Sequence, residues 1–125
     1  MIRCPLDQKF RKSERLRLKR EFDRLKKSGK VVRYEDLILI YDENSLGFNR
    51  LGVTVRRGFG KSYRRNKFKR YVREIFRKNK CKLKKGYDLL IMPKVDMGKY
   101  FEEMRYDDFE VKLFELFRKA NLVVE

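Results

Sequence analysis

Residues 64–77 read Arg-Arg-Asn-Lys-Phe-Lys-Arg-Tyr-Val-Arg-Glu-Ile-Phe-Arg, and their spacing decides how the rest of the chain is arranged. Seven of the fourteen are basic and only Glu74 is acidic. At about 100° per residue, Phe68, Tyr71, Val72, Ile75 and Phe76 gather into one apolar stripe. Asn66, Lys69, Arg70, Arg73 and Arg77 gather into another, roughly a third of a turn or more away. This predicts a helix with one face in a core and a row of guanidinium groups on the other. Arg offers planar, bidentate donors and keeps its charge at physiological pH, which suits a phosphate backbone. Few carboxylates neutralise the row, so an anionic partner would relieve its self-repulsion.

Outward from that helix, the charge is uneven. The chain carries 35 Lys and Arg against 18 Asp and Glu, a net charge of +17 on 125 residues. Residues 1–95 hold 30 basic and 10 acidic side chains, while 96–125 hold 5 and 8. The binding surface is therefore expected in the first three quarters, with a structural C-terminal segment.

The length fits one domain, 1–125, and ten Phe with seven Tyr supply a core. No stretch has the length of a transmembrane helix, and residues 1–12 lack the apolar run of a signal peptide, which predicts a soluble, cytoplasmic protein. A basic amphipathic helix could instead lie on an anionic membrane, but here the charge is spread over several elements. There is no His, the commonest general base and metal ligand. Cys4 and Cys81 are too few and too far apart for a zinc knuckle or a disulfide framework, and both are expected to be reduced bystanders. No Walker-type or dinucleotide glycine fingerprint appears. The chain is poorly equipped for chemistry of its own.

Before the basic helix, residues 1–16 are basic, contain Pro5 and are expected to be extended. Leu18, Phe22 and Leu25 predict a short helix over 17–28, stopped by Gly29. Residues 31–42 read as one long or two short strands, and 44–49 as a turn. Residues 50–57 alternate, with Leu51, Val53 and Val55 on one face and Gly52, Thr54 and Arg56 on the other. Residues 58–62 read as a flexible loop. After the basic helix, 80–86 form a linker, and 87–92 are apolar without alternation, as in a central strand covered on both faces and ended by Pro93. Asp107 with Glu110 predicts an N-cap, ahead of a stripe of Phe109, Leu113, Leu116, Phe117 and Ala120. The order predicts one α+β sheet domain.

The ordered set of strand, Gly loop and Arg65-Asn66-Lys67-Phe68-Lys69-Arg70-Tyr71-Val72-Arg73, followed by the 87–92 strand, resembles the bacterial ribonuclease P protein subunit family. That family's signature is R-N-R-x-K-R-x-x-R, here with Arg56, Arg57 and Gly60 upstream. The resemblance implies an αβββαβα fold with a central four-stranded sheet and a left-handed βαβ crossover, against the right-handed rule. It implies that Arg64, Arg65, Asn66, Lys67, Lys69, Arg70, Arg73 and Arg77 contact a catalytic RNA. It also implies that Phe22, Thr54, Arg56, Arg57 and Lys61 hold the single-stranded 5′ leader of precursor tRNA. The partners would be these two RNAs, with no membrane and no obligate protein partner. The RNA would cleave the phosphodiester with Mg2+ that it binds itself, and the protein alone would need no cofactor. Two positions depart from the family. Lys67 replaces an Arg and loses the bidentate fork. Lys26 stands where a second aromatic is expected one turn after Phe22, so leader contact would lean on charge. The rival readings are a ribosomal or ribosome-assembly protein, which shares the charge but not the ordered signature, and a DNA-binding helix, for which no dimerisation seam is evident.

Overall fold

The computed structural model describes residues 8–124. Seven regular elements follow one another: α1 (Lys19–Ser28), β1 (Lys30–Tyr34), β2 (Leu37–Glu43), β3 (Arg50–Val53), α2 (Ser62–Lys78), β4 (Tyr87–Pro93) and α3 (Tyr106–Lys119). The four strands form one sheet in the order β1-β2-β4-β3. β1 and β2 form an antiparallel hairpin, β2 pairs antiparallel with β4, and β3 pairs parallel with β4 through the α2 crossover. No helix among the described residues is long and apolar enough to cross a membrane.

Alternation distributes the strand side chains between two layers. Leu37, Leu39, Leu51, Val53, Leu89 and Ile91 join the main core under α2 and α3. Ile38, Ile40, Leu90 and Met92 face the other way, towards Leu25, Phe22 and Leu16. The apolar, non-alternating β4 is thus the strand buried on both faces. The stripe predicted on α2 is seated in the main core, with Phe68, Val72, Ile75 and Phe76 buried. Each contributes roughly 1.5–3 kcal/mol of burial. Edge-to-face rings continue this core: Phe68 meets Phe59, Phe101 and Phe109 at centroid distances of 5.5, 5.5 and 5.4 Å.

Of the two readings of residues 31–42, the structure has the two consecutive strands, divided where Glu35 takes a positive φ of 51° at the hairpin turn. That conformation is unfavourable for Glu. It is held by the Glu35–Lys112 ion pair at 2.7 Å and by Lys94 N–H donating to the Asp36 carbonyl at 2.8 Å. The β2–β3 connection is the expected turn, in which Asn44 Oδ1 accepts from Leu46 N–H at 2.9 Å.

Several expectations need correction. Residues 58–62 are not a flexible loop: Arg57–Phe59 is a 3₁₀ turn that delivers Phe59 into the core, and Ser62 opens α2. This turn also ends β3 at Val53, earlier than the alternation predicts, although Thr54 N–H still reaches the Ile91 carbonyl at 3.2 Å. Asp107 is not the N-cap of α3. Arg105 is, and Asp107 and Asp108 lie in the first turn, where they complement the helix dipole. Glu110 instead accepts from Asn79 Nδ2 at 3.3 Å. Cys81, expected to be a reduced bystander, is disulfide-bonded. Within the 1–16 segment, Met1, Cys4 and Pro5 lie outside the described residues. Residues 8–16 are docked: Phe10 meets Phe76 at 5.6 Å, Lys12–Glu14 is a 3₁₀ turn and Arg15 bridges Leu51 beside β3. Buried Glu14 pairs with Lys80 at 2.7 Å.

The Phe59 turn rests on Gly98, where a Cβ would lie 1.9 Å from the Phe59 carbonyl oxygen. Gly98→Ala should therefore destabilise the domain by about 1–3 kcal/mol, the cost of overpacking a filled core. Chemical denaturation checks this, and an unchanged midpoint would mean that the turn is free to shift.

Candidate nucleic-acid interface

α2 carries the charge row, but the structure divides its members into two groups. Arg64 turns back onto protein, with Nη1 donating to the Gly98 carbonyl at 3.0 Å and Nη2 lying 3.3 Å from the Glu102 carboxylate. Arg65 Nε donates to the Gly60 carbonyl at 3.1 Å, and its Nη2 to Ser62 Oγ at 3.0 Å. Lys67 Nζ donates to the Glu102 carbonyl at 3.3 Å and lies 5.5 Å from the centroids of both Tyr71 and Phe101. Arg77 Nη2 donates to Glu74 at 3.0 Å and its Nη1 to the Gln8 carbonyl at 3.0 Å. These four help to fasten α2 to its surroundings. Asn66, Lys69, Arg70 and Arg73 make no side-chain hydrogen bond or ion pair with any described residue. The row open to a ligand is therefore narrower than the charge pattern alone implies.

The docked strap supplies two further cations that sequence reasoning missed. Arg15 lies 4.8 Å above the Phe10 ring and faces Arg73 across a cavity of about 330 Å³, which Arg17, Phe22 and Gly52 also line. Arg15 and Arg17, like Arg73, have no carboxylate partner among the described residues. Partial burial, and then the Arg15 charge, hold the Arg73 guanidinium below its ordinary value. An anion between them would relieve that repulsion. Their basic character was visible in the sequence, but not that the strap brings them against α2.

On the α1 face of the sheet, Lys26, Ile38, Thr54, Arg56, Met92 and Lys94 line an open groove of about 430 Å³. The strand register puts Arg33 beside Ile38, and Ile38 beside Met92, extending the row to the sheet edge. The predicted leader residues are thus split. Thr54 and Arg56 line this groove, and Lys26, at the position of the missing aromatic, forms part of its wall. Phe22 lies in the neighbouring Arg15–Arg73 cavity, packed over Gly52 so closely that a Cβ there would stand 2.6 Å from its ring. Arg57 and Lys61 are exposed and do not line the groove; they lie on the approach to α2. Lys94, which follows β4, was missed.

One buried cluster sets where α1 stands over the sheet. Asp88, at 0% exposure, accepts from Arg50 Nε at 2.8 Å and Nη2 at 2.7 Å, Arg24 Nη2 at 2.8 Å and Asn44 Nδ2 at 3.0 Å. Arg50 Nη1 reaches Glu21 at 2.5 Å, and Asp88 holds the Arg50 guanidinium further above its already high value. Burial alone would raise the Glu21 carboxyl. The Leu18 and Arg17 amides and the Arg50 charge outweigh it and hold Glu21 below the ordinary range.

A basic helix crossing between parallel strands, continuous with a cationic cavity and a groove on the sheet, defines an α+β RNA-binding domain. The comparisons with known proteins give its family. A family model described as Ribonuclease P matches residues 10–121. The chain is 40% identical over 114 residues to the ribonuclease P protein component of Thermotoga maritima, covering 91% of this chain and 97% of that one. It is 38% identical over 112 residues to that of Petrotoga mobilis, covering 90% and 95%. The solved ribonuclease P protein of Thermotoga maritima superposes with a TM-score of 0.79 at 41% identity, covering 83% of this chain and 94% of the other. The Staphylococcus aureus protein, at 23% identity and a TM-score of 0.80 over 90% and 100% of the two chains, shares the fold. The chain belongs to the ribonuclease P protein family, the protein components of a tRNA-processing endoribonuclease, and it associates with that enzyme's RNA.

Proposed function

We propose that the chain binds the catalytic RNA of ribonuclease P through α2 and holds the 5′ leader of precursor tRNA in the sheet groove, while the RNA performs the hydrolysis. The observation that carries this reading is the set of cations without a carboxylate partner among the described residues. Lys69, Arg70 and Arg73 on α2 run into Arg15 and Arg17, and from that cavity past Phe22 towards the groove. Such a surface neutralises phosphates and releases counterions. A single strand fits a basic groove better than a duplex does, and Ile38, Met92 and Thr54 offer its bases a floor.

The protein contributes affinity and positioning in this reading. It has no His, and no group of three or more Asp, Glu or Cys among the described residues is arranged to hold a metal. Mg2+ would be held mainly by the RNA, where it would supply activation of water and stabilisation of the leaving oxygen. Lower phosphate repulsion would let the RNA fill its ion sites at lower Mg2+. Processing of transcripts would take place in the cytoplasm.

The test is reconstitution with the catalytic RNA on precursor tRNA at low Mg2+. The complex should mature the 5′ end where either component alone is inactive. If five to eight phosphates are neutralised, log affinity should fall against log salt with a slope of about −4 to −7. Cleavage by repurified protein free of RNA, or a flat salt response, would overturn the assignment.

A further inference from the structure

Tyr63 is the most exposed aromatic side chain among the described residues, at 59%. The other rings of α2 are committed to the core: Phe68 and Tyr71 pack against Phe101 and Phe109, and Phe76 against Phe10. Tyr63 makes no ring contact with any described residue. It stands in the first turn of α2, in line with Asn66 one turn on and Arg70 two turns on, about 10 Å along the axis. The Tyr63 hydroxyl and then the Arg64 guanidinium hold the Glu102 carboxyl below its ordinary range. Arg64 is itself fixed on Gly98. The ring is turned to solvent. It is followed on the same face by side chains with no hydrogen-bonded or ionic partner among the described residues.

Isolated exposed rings are common on protein surfaces. This one stands at the head of an unneutralised cation row. That pairing of a flat apolar face with backbone-binding charge is how unpaired nucleotides are held. We propose that Tyr63 stacks on an unpaired base of the catalytic RNA whose backbone is held by Asn66, Arg70 and Arg73. The assignment rests on the reading of α2 as the surface that meets that RNA, and it adds a contact that the basic signature does not contain.

The test measures binding of the full chain to the catalytic RNA over a range of salt. Tyr63→Ala should weaken binding about 5- to 50-fold, within the range for loss of one stacked base, with an unchanged salt slope. Tyr63→Phe should stay within a few-fold of the parent. Arg70→Ala should weaken binding and flatten the slope by about 1. Because the chain contains no Trp, Tyr63→Trp installs a single reporter. Its emission should be quenched as the catalytic RNA saturates the protein. Wild-type affinity of Tyr63→Ala, or unquenched emission, while Arg70→Ala is impaired would overturn the stacking proposal alone. Wild-type affinity and salt slope of both alanine variants would overturn the α2 reading and the proposal with it. A loss by Tyr63→Ala that appears only with long-leader precursor tRNA would move the base to the leader and overturn the assignment to the catalytic RNA.

Discussion

Asp88→Ala should lower the stability of the domain by about 3–4 kcal/mol, enough to drop the melting temperature by about 10–20 °C. The carboxylate is wholly buried and accepts from three residues on three elements: Arg24 of α1, Arg50 of β3 and Asn44 of the β2–β3 turn. Removing it leaves Arg50, whose side chain is only 19% exposed, without its bidentate partner. Stripping one member of a buried pair costs about 3–5 kcal/mol, chiefly because the other charge stays desolvated. The lower part of that range applies because Glu21 still faces Arg50 at 2.5 Å. Differential scanning calorimetry with urea denaturation measures the change. A loss under about 1 kcal/mol would mean that water reaches Arg50, and that the cluster behaves as a surface ion pair. Since Arg24 and Glu21 tie α1 to the strands through this cluster, the same substitution loosens one wall of the sheet groove.

What could be read before the structure was what repeats locally. The 3.6-residue stripes located α2 and α3, and the unbroken apolar run of 87–92 located the strand covered on both faces. Strand order could not be read in this way. β4 inserts between β2 and β3, a pairing set by contacts between residues some fifty positions apart, which local patterns do not encode. Phe59, flanked by glycines, has the look of a loop residue, and only the Phe68–Phe101 cluster shows why it is buried. The site was legible to the same degree. The signature and the charge row located the helix that carries the open cations. Which of them are open depended on acceptors more than thirty residues away, Gly98 and Glu102, and on a strap whose Arg15 carries no pattern of its own.

That distinction gives the largest expected effect on binding. Arg70→Glu combined with Arg73→Glu should weaken binding to the catalytic RNA by about 10²- to 10³-fold near 0.1 M salt. Each phosphate deprived of its cation takes about 0.9 from the log–log salt slope, close to a factor of ten at that salt, and each new carboxylate adds repulsion. The total corresponds to about 3–4 kcal/mol. Neither side chain belongs to the core, although Arg73 is partly covered beside Arg15, and neither has a carboxylate partner among the described residues, so the fold should tolerate the change. Lys67→Glu reverses a charge in the same helix but should behave differently. Its ammonium donates to the Glu102 carbonyl and lies 5.5 Å from the centroids of Tyr71 and Phe101. A carboxylate there forfeits the cation–π attraction and meets Glu102, at a cost of about 1–2 kcal/mol in stability, with RNA affinity reduced no more than about five-fold. Titrations of the catalytic RNA beside urea unfolding of both variants separate the two effects. If Lys67→Glu weakened RNA binding as much as the double reversal and left unfolding unchanged, Lys67 would belong to the open row. The distinction between cations that fasten α2 and cations that face RNA would then fail.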